Sequence, residues 1–186
     1  MPKMSPKTSR KLLALNKSFY ENNAQSFSST RYVIQPGVRS LLPSMLTART
    51  ILDLGCGNGN LALALDKAGF CHEYFGVDNS QGLIVDAISA RDKRIAERDR
   101  YTFQVLDLGN TPWQIAANQR HFDMIVSFAT LHHIPGLRLQ QEFFMQAASL
   151  LETNGTFIIS CWQPLNSPRL AKRVQNWDVL DIDPNE

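Results

Sequence analysis

The stretch Ile51-Leu52-Asp53-Leu54-Gly55-Cys56-Gly57-Asn58-Gly59-Asn60 joins an apolar run, a carboxylate near its end and three glycines on alternate positions. The apolar run reads as a buried strand. Glycine lacks Cβ, so the backbone that follows can turn left-handed and let a ligand approach closely. The pattern predicts strand, tight turn and helix, with a nucleotide-like ligand at the turn. A strand-to-helix turn that binds nothing is the plainer alternative.

A dinucleotide-binding loop has its third glycine one place further on, in G-x-G-x-x-G. Asn60 stands there instead. Asp53 argues the same way, because a carboxylate beside a pyrophosphate repels it. A cationic ligand suits the acid better, and S-adenosylmethionine carries a sulfonium and an ammonium beside an adenosine. Downstream, Tyr74-Phe75-Gly76-Val77-Asp78 is a second apolar run ending in an acid. Asp78 falls about twenty residues after the glycines, where a carboxylate can take both ribose hydroxyls. Asn79-Ser80 then caps the next helix. Tyr101-Thr102-Phe103-Gln104-Val105-Leu106 reads as a third strand. Asp107 and Leu108 follow it, with Asp107 placed to accept from the adenine amino group.

In this order, Asp53 to Gly59, Asp78 and Asp107 resemble the first three motifs of class I S-adenosylmethionine-dependent methyltransferases, over about residues 19 to 162. The fourth motif of that family is matched by the strand Phe122-Asp123-Met124-Ile125-Val126-Ser127 and the loop Phe128-Ala129-Thr130-Leu131-His132-His133. The resemblance implies S-adenosylmethionine as cofactor and S-adenosylhomocysteine as product. It makes Gly55, Cys56, Gly57, Asn58, Gly59, Asp53, Asp78, Asn79, Asp107, Leu108 and Phe128 the candidate cofactor residues. His132 and His133 are a general base or a polar loop end by chemistry alone. Adjacent histidines point apart on extended chain, so no metal is expected.

A narrower resemblance lies upstream. Phe19-Tyr20-Glu21-Asn22-Asn23-Ala24-Gln25-Ser26-Phe27-Ser28-Ser29-Thr30-Arg31-Tyr32 is similar to the N-terminal segment of the methyltransferases that esterify carboxymethyl-uridine at the tRNA wobble position, as is Trp162 past the fifth strand. Val33-Ile34-Gln35-Pro36 departs from that group's pattern of a proline, an aromatic and a proline after the tyrosine. The resemblance implies tRNA as acceptor and an activating protein subunit. Arg31 is a further candidate cofactor residue, offering a guanidinium fork for the carboxylate of the methionine moiety or of a substrate, with a surface ion pair as its alternative. Tyr20 and Tyr32 are candidate pocket walls, and Tyr20 and His132 the candidate catalytic residues.

The expected reaction is attack by an oxygen or nitrogen nucleophile on the cofactor's methyl group, which needs alignment more than acid-base chemistry. A carboxylate nucleophile, already deprotonated at neutral pH, needs no base. A small-molecule O- or N-methyltransferase using a histidine base is one competing reading. A non-catalytic methyltransferase-like partner subunit is another.

With 186 residues and 44% hydrophobic content, the chain can bury one core. No apolar run is long enough to span a bilayer, and no membrane partner is expected. Three cysteines of odd count and no metal spacing suit a reducing cytoplasm. The formal charge of +2 is small but uneven: Lys3, Lys7, Arg10, Lys11 and Lys17 precede the first acid, and Arg169, Lys172 and Arg173 cluster late. Such groups suit phosphates or plain solvation. Arg91 to Arg100 mixes signs as a solvated helix face does.

Apolar strands alternating with helices predict an α/β fold, a Rossmann-like three-layer sandwich with a mostly parallel central sheet. Helices are expected over Leu61–Ala68, Leu83–Ala90 and Leu139–Leu151, and a fifth strand over Thr156–Ser160 after an Asn154-Gly155 turn. Upstream, Leu12, Leu15 and Phe19 share a helical face, and Pro36 opens a helix that Pro43 kinks. Residues 1–46 form a basic arm and cap helices; residues 47–186 form the methyltransferase core. That core is expected to lack its last strands, with Trp177 to Ile182 the one further strand candidate.

Overall fold

A computed structural model describes residues 4–30, 33–113, 115, 121–174, 177–180 and 182. Arg31 and Tyr32 lie outside the described residues.

Five parallel strands, β1 (Thr50–Leu54), β2 (Glu73–Asp78), β3 (Tyr101–Val105), β4 (Phe122–Phe128) and β5 (Leu151–Ser160), form one sheet in the order β3-β2-β1-β4-β5. The order reverses at β1, which pairs with β2 on one side and β4 on the other. Ligands of open parallel sheets bind at this reversal, beyond the carboxyl ends of the strands. The central strands are buried on both faces, which is why they read as unbroken apolar runs.

Alternation along β1 sends Leu52 and Leu54 into a cluster with Ile134, Leu139, Phe143 and Ala147. Ile51 goes the other way, into a cluster with Leu61, Ala62, Leu65 and Tyr74. Helix α4 (Asn60–Lys67) covers the second face and touches α5 (Gln81–Arg94), while α6 (Leu137–Ser149) covers the first through Leu139, Phe143 and Ala147. Ser80 caps α5 by accepting from the Leu83 amide at 3.3 Å.

Helix α1 (Pro6–Thr30) lies across the carboxyl end of the sheet. Ser9 sits near Gly136 at the start of α6, Leu13 against Gly109, and Ala24 against Gly82 at the start of α5. Ser28 donates to Asp86 of α5 at 2.5 Å. The face shared by Leu12, Leu15 and Phe19 is not the one that meets the cleft: Leu15 and Phe19 are 48% and 57% exposed, and the stripe toward the cleft is Leu13, Asn16 and Tyr20. A stripe that faces a cleft carries polar residues, so apolar periodicity selects its neighbour instead.

Proline opens two short helices rather than kinking one, α2 (Pro36–Arg39) and α3 (Leu42–Met45). The Asn154-Gly155 turn lies within β5, where pairing steps from Phe122↔Leu151 to Met124↔Thr156 and Asn154 takes a φ of 66°. Beyond β5 come α7 (Pro168–Ala171) and a 3-10 turn at Trp177–Leu180. That turn corrects the strand expected at Trp177 to Ile182. A strand needs a ladder partner for its N–H and C=O groups, whereas a 3-10 turn pairs its own. Among the described residues the sheet ends at β5. No helix among them is long and apolar enough to cross a membrane.

Candidate active site

A cleft opens at the carboxyl end of the sheet where the strand order reverses. Gly55 and Gly57, Asp78 and Asn79, Asp107 to Gly109, and Phe128 to Thr130 line it from the ends of β1, β2, β3 and β4. Leu13, Asn16, Lys17 and Tyr20 of α1 close it from above, with Leu83, His133 and Ile134.

The glycine loop turns left-handed at all three glycines, with φ of 90° at Gly55, 55° at Gly57 and 76° at Gly59. Four of its amides are spent within the protein. Gly55 and Cys56 both donate to the Val77 carbonyl, at 2.8 and 3.0 Å. Gly57 donates to Asp78 Oδ2 at 2.9 Å, and Gly59 donates to the Cys56 carbonyl at 3.1 Å. A phosphate-binding loop needs those N–H groups pointed at its ligand. This loop instead orients a carboxylate, so its side of the cleft presents an acceptor.

Asp78 holds its carboxylate there by accepting from Gly57 and, through Oδ1, from the Ser80 amide at 2.9 Å. Each oxygen keeps a second lone pair. Burial pushes its pKa up, and the amide hydrogen bonds oppose that shift. Asp107 is built alike, accepting from the Gly109 amide at 2.9 Å and from Asn110 Nδ2 at 2.6 Å. Both carboxylates border an otherwise apolar wall of Leu13, Leu83, Leu108, Phe128 and Ile134. Donor-rich ligand edges, hydroxyls and an amine, on a flat apolar body fit such a cleft. The ribose and adenine of S-adenosylmethionine have that chemistry.

Several candidates sit elsewhere. Asp53 is buried and turned away from the cleft, accepting from the Tyr74 hydroxyl at 2.5 Å. Burial pushes it up to about 7, against that hydrogen bond and with help from the Asp78 charge. Cys56 is buried, its thiol pushed up by burial and donating weakly to the Gly57 carbonyl at 3.7 Å. A Cβ on Gly59 would come within 3.0 Å of Ala87 Cβ and 3.2 Å of Phe103, so this glycine serves helix-to-sheet packing. Asn58 also lies outside the cleft lining. His133 is at the cleft wall, whereas His132 stacks on Trp162 with ring centroids 5.7 Å apart. The imidazole of His133 meets the Tyr20 hydroxyl at 2.9 Å through Nε2, and Asn16 donates to the His133 carbonyl at 2.9 Å.

Asn16 and Leu83 line the cleft without having been singled out from sequence, whereas Lys17 was read there as part of a basic arm and Ala129 and Thr130 as part of the fourth-motif loop. Ala129 takes a φ of 55°, uncommon for a residue with a Cβ, and donates to Ser160 O and Oγ at 3.1 Å each.

The buried Asp53 carboxyl makes stability pH-dependent. Its pKa is higher folded than unfolded, so the folded state binds that proton more tightly. This stabilisation is full below about pH 4 and is lost as pH rises through about 7. Denaturant melts are expected to show wild type losing up to about 4 kcal/mol relative to Asp53→Asn between pH 4 and pH 7. Parallel pH profiles for the two proteins would refute a buried, proton-binding Asp53.

The profile of a methyltransferase domain family matches residues 26–184. The chain belongs to the methyltransferase domain family. This methyltransferase domain is similar to the tRNA (carboxymethyluridine(34)-5-O)-methyltransferase of Arabidopsis thaliana, 28% identical over 167 residues that cover 85% of the chain and 37% of that protein. It is similar also to the Saccharomyces cerevisiae protein of that description, 29% identical over 143 residues covering 77% of the chain and 46% of that protein. The chain thus spans less than half the length of these curated relatives. Its fold matches magnesium protoporphyrin IX methyltransferase (ChlM) from Synechocystis PCC 6803, solved with bound SAM. The TM-score is 0.58 at 18% identity, covering 76% of the chain and 72% of that one. The CcbJ methyltransferase from Streptomyces caelestis gives 0.57 at 23%, covering 68% of the chain and 51% of that one.

Proposed function

We propose that this methyltransferase domain uses S-adenosylmethionine to methylate a modified uridine carboxylate in tRNA, with residues 1–46 serving as the cap of its cleft. The observation that carries the cofactor reading is the pair of strand-end carboxylates, Asp78 and Asp107, fixed by backbone amides in a cleft whose glycine loop turns the Gly55, Cys56, Gly57 and Gly59 amides onto the protein itself. The acceptor reading rests on the activity of the plant and yeast relatives.

When bound, S-adenosylmethionine supplies a methyl group on a positively charged sulfur. Asp78 would hold the ribose hydroxyls and Asp107 the adenine amino group, while Leu83, Leu108 and Phe128 exclude water. Tyr20 and His133 meet at the cleft wall, where their hydrogen-bonding atoms would orient the acceptor. A carboxylate acceptor arrives deprotonated, so the pair has only to position it. His133 at that wall also favours a second reading, a small-molecule hydroxyl or amine deprotonated by the imidazole.

Arg31 is proposed to contribute a guanidinium fork for a carboxylate. An activating protein subunit is proposed to cover the outer edge of β5, beside the exposed Phe144 and Met145 of α6. Work in the reducing cytoplasm fits Cys56, Cys71 and Cys161, all of them free thiols.

Radiolabelled methyl transfer into tRNA from cells lacking this protein, followed by nucleoside analysis, tests the reading. Label in an esterified wobble uridine is the expected result; label only in a metabolite mixture selects the second reading. Cofactor binding without any transfer would leave a non-catalytic subunit.

The exposed residues Lys7, Arg10 and Lys11 of α1 are expected to contact tRNA phosphates. Neutralising all three should weaken tRNA binding and flatten its salt dependence by up to about one slope unit per lost contact. Cofactor affinity should stay unchanged. Filter binding across a salt series checks this, and an unaltered slope in the triple variant would remove α1 from the tRNA surface.

A further inference from the structure

The cleft wall continues outward as a row of five rings drawn from three elements. Phe19 meets Tyr20 edge-on at 5.3 Å, and Tyr20 meets His133 edge-on at 5.3 Å. His133 lies 4.2 Å from His132, and His132 stacks on Trp162 at 5.7 Å with an interplanar angle of 21°. The middle of the row is cleft wall, and its ends are surface: Phe19 is 57% exposed and Trp162 42%. The Tyr20–His133 hydrogen bond ties α1 to the β4 loop, and the Ala129 amide ties that loop to Ser160 at the end of β5. Burial holds His132 below its ordinary pKa, which keeps an uncharged ring against the indole.

Single exposed aromatics are ordinary on a protein surface. A connected row that begins inside the cofactor cleft and ends in solvent is not explained by core packing. Lys17 lines the cleft, and the exposed Arg169, Lys172 and Arg173 follow Trp162 in the chain. Ring platforms accompanied by basic side chains are how proteins hold single-stranded nucleic acid, each base stacking on a ring while cations follow the backbone.

We propose that the Trp162 end of this row is a stacking site for an unpaired RNA base that neighbours the methylated nucleotide, the acceptor itself lying against Tyr20 and His133. This rests on the tRNA reading above and adds to it a recognised neighbour.

The test is a thermodynamic cycle on the full chain, using an anticodon stem-loop RNA and versions of it made abasic at each nucleotide flanking the wobble position. Fluorescence anisotropy gives the affinities. Trp162→Leu is expected to bind the intact RNA about 5- to 150-fold more weakly, the range that corresponds to ~1–3 kcal/mol per stacked base. Trp162→Tyr should keep most of the affinity. One abasic RNA should bind wild type more weakly yet lose little further with Trp162→Leu, because base and ring form one contact. Affinity for S-adenosylhomocysteine, measured on each protein, should not change, which separates loss of stacking from loss of fold. Wild-type methylation of tRNA, with abasic losses equal in both proteins at both flanks, would overturn the stacking site and leave the function standing. Absence of any tRNA methylation by wild type would overturn both.

Discussion

Gly55→Ala is expected to lose cofactor binding by about 100-fold or more. A Cβ there would lie 2.0 Å from Thr130 Oγ1 and 2.7 Å from Thr130 Cγ2, on a backbone whose φ is 90°. The left-handed conformation alone costs a residue with a Cβ roughly 1–2 kcal/mol, and overpacking adds typically ~1–3 kcal/mol. Thr130 cannot retreat without disturbing the cleft, because it is part of the lining. Calorimetry with S-adenosylhomocysteine, beside a denaturant melt, reads binding and stability separately. Adding Thr130→Gly should recover the steric part and leave the backbone part. Unchanged affinity in Gly55→Ala would show that this turn is not the cofactor's floor.

Asp78→Ala should weaken cofactor binding by roughly 5- to 150-fold, since hydrogen bonds to a charged group are worth about 1–3 kcal/mol. The same change orphans the Gly57 and Ser80 amides, so the loop should also lose stability. Asp78→Asn keeps one acceptor oxygen and should fall between wild type and alanine. A destabilised Asp78→Ala protein that binds S-adenosylhomocysteine as well as wild type would confine Asp78 to holding the loop. The ribose would then need another partner.

The strands were legible because parallel strands covered on both faces leave apolar runs, and Tyr74 to Val77 or Met124 to Val126 can be read directly. Asp78 and Asp107 were legible for the same reason, each standing where such a run stops. The direction of Asp53 was not. Its place on the face shared with Ile51, away from Leu52 and Leu54, follows from alternation, but its partner Tyr74 is visible only once β2 is laid beside β1. The packing at Gly59 was hidden for a similar reason, as Ala87 and Phe103 come from other elements. On α1, the stripe of Leu13, Asn16 and Tyr20 is too polar for a periodicity search, although it is the stripe that faces the cleft. His132 and His133 differ by a single residue, and which of them meets Tyr20 depends on a 3-10 turn at Leu131–His133 that no local signal announces.

The position of β1 in the middle of the sheet has a consequence during synthesis. Of the five strands of the sheet it is the first to leave the ribosome, and β2 can cover one of its edges soon after. Its other neighbour comes much later, since Ile51 pairs with Met124. At roughly 5–20 residues per second, that interval lasts about 4–15 s. For that time a strand carrying Ile51, Leu52 and Leu54 offers an open, apolar edge to the crowded space at the ribosome exit. Throughout that interval the strand whose end shapes the cofactor cleft is thus a target for chaperones and for mispairing.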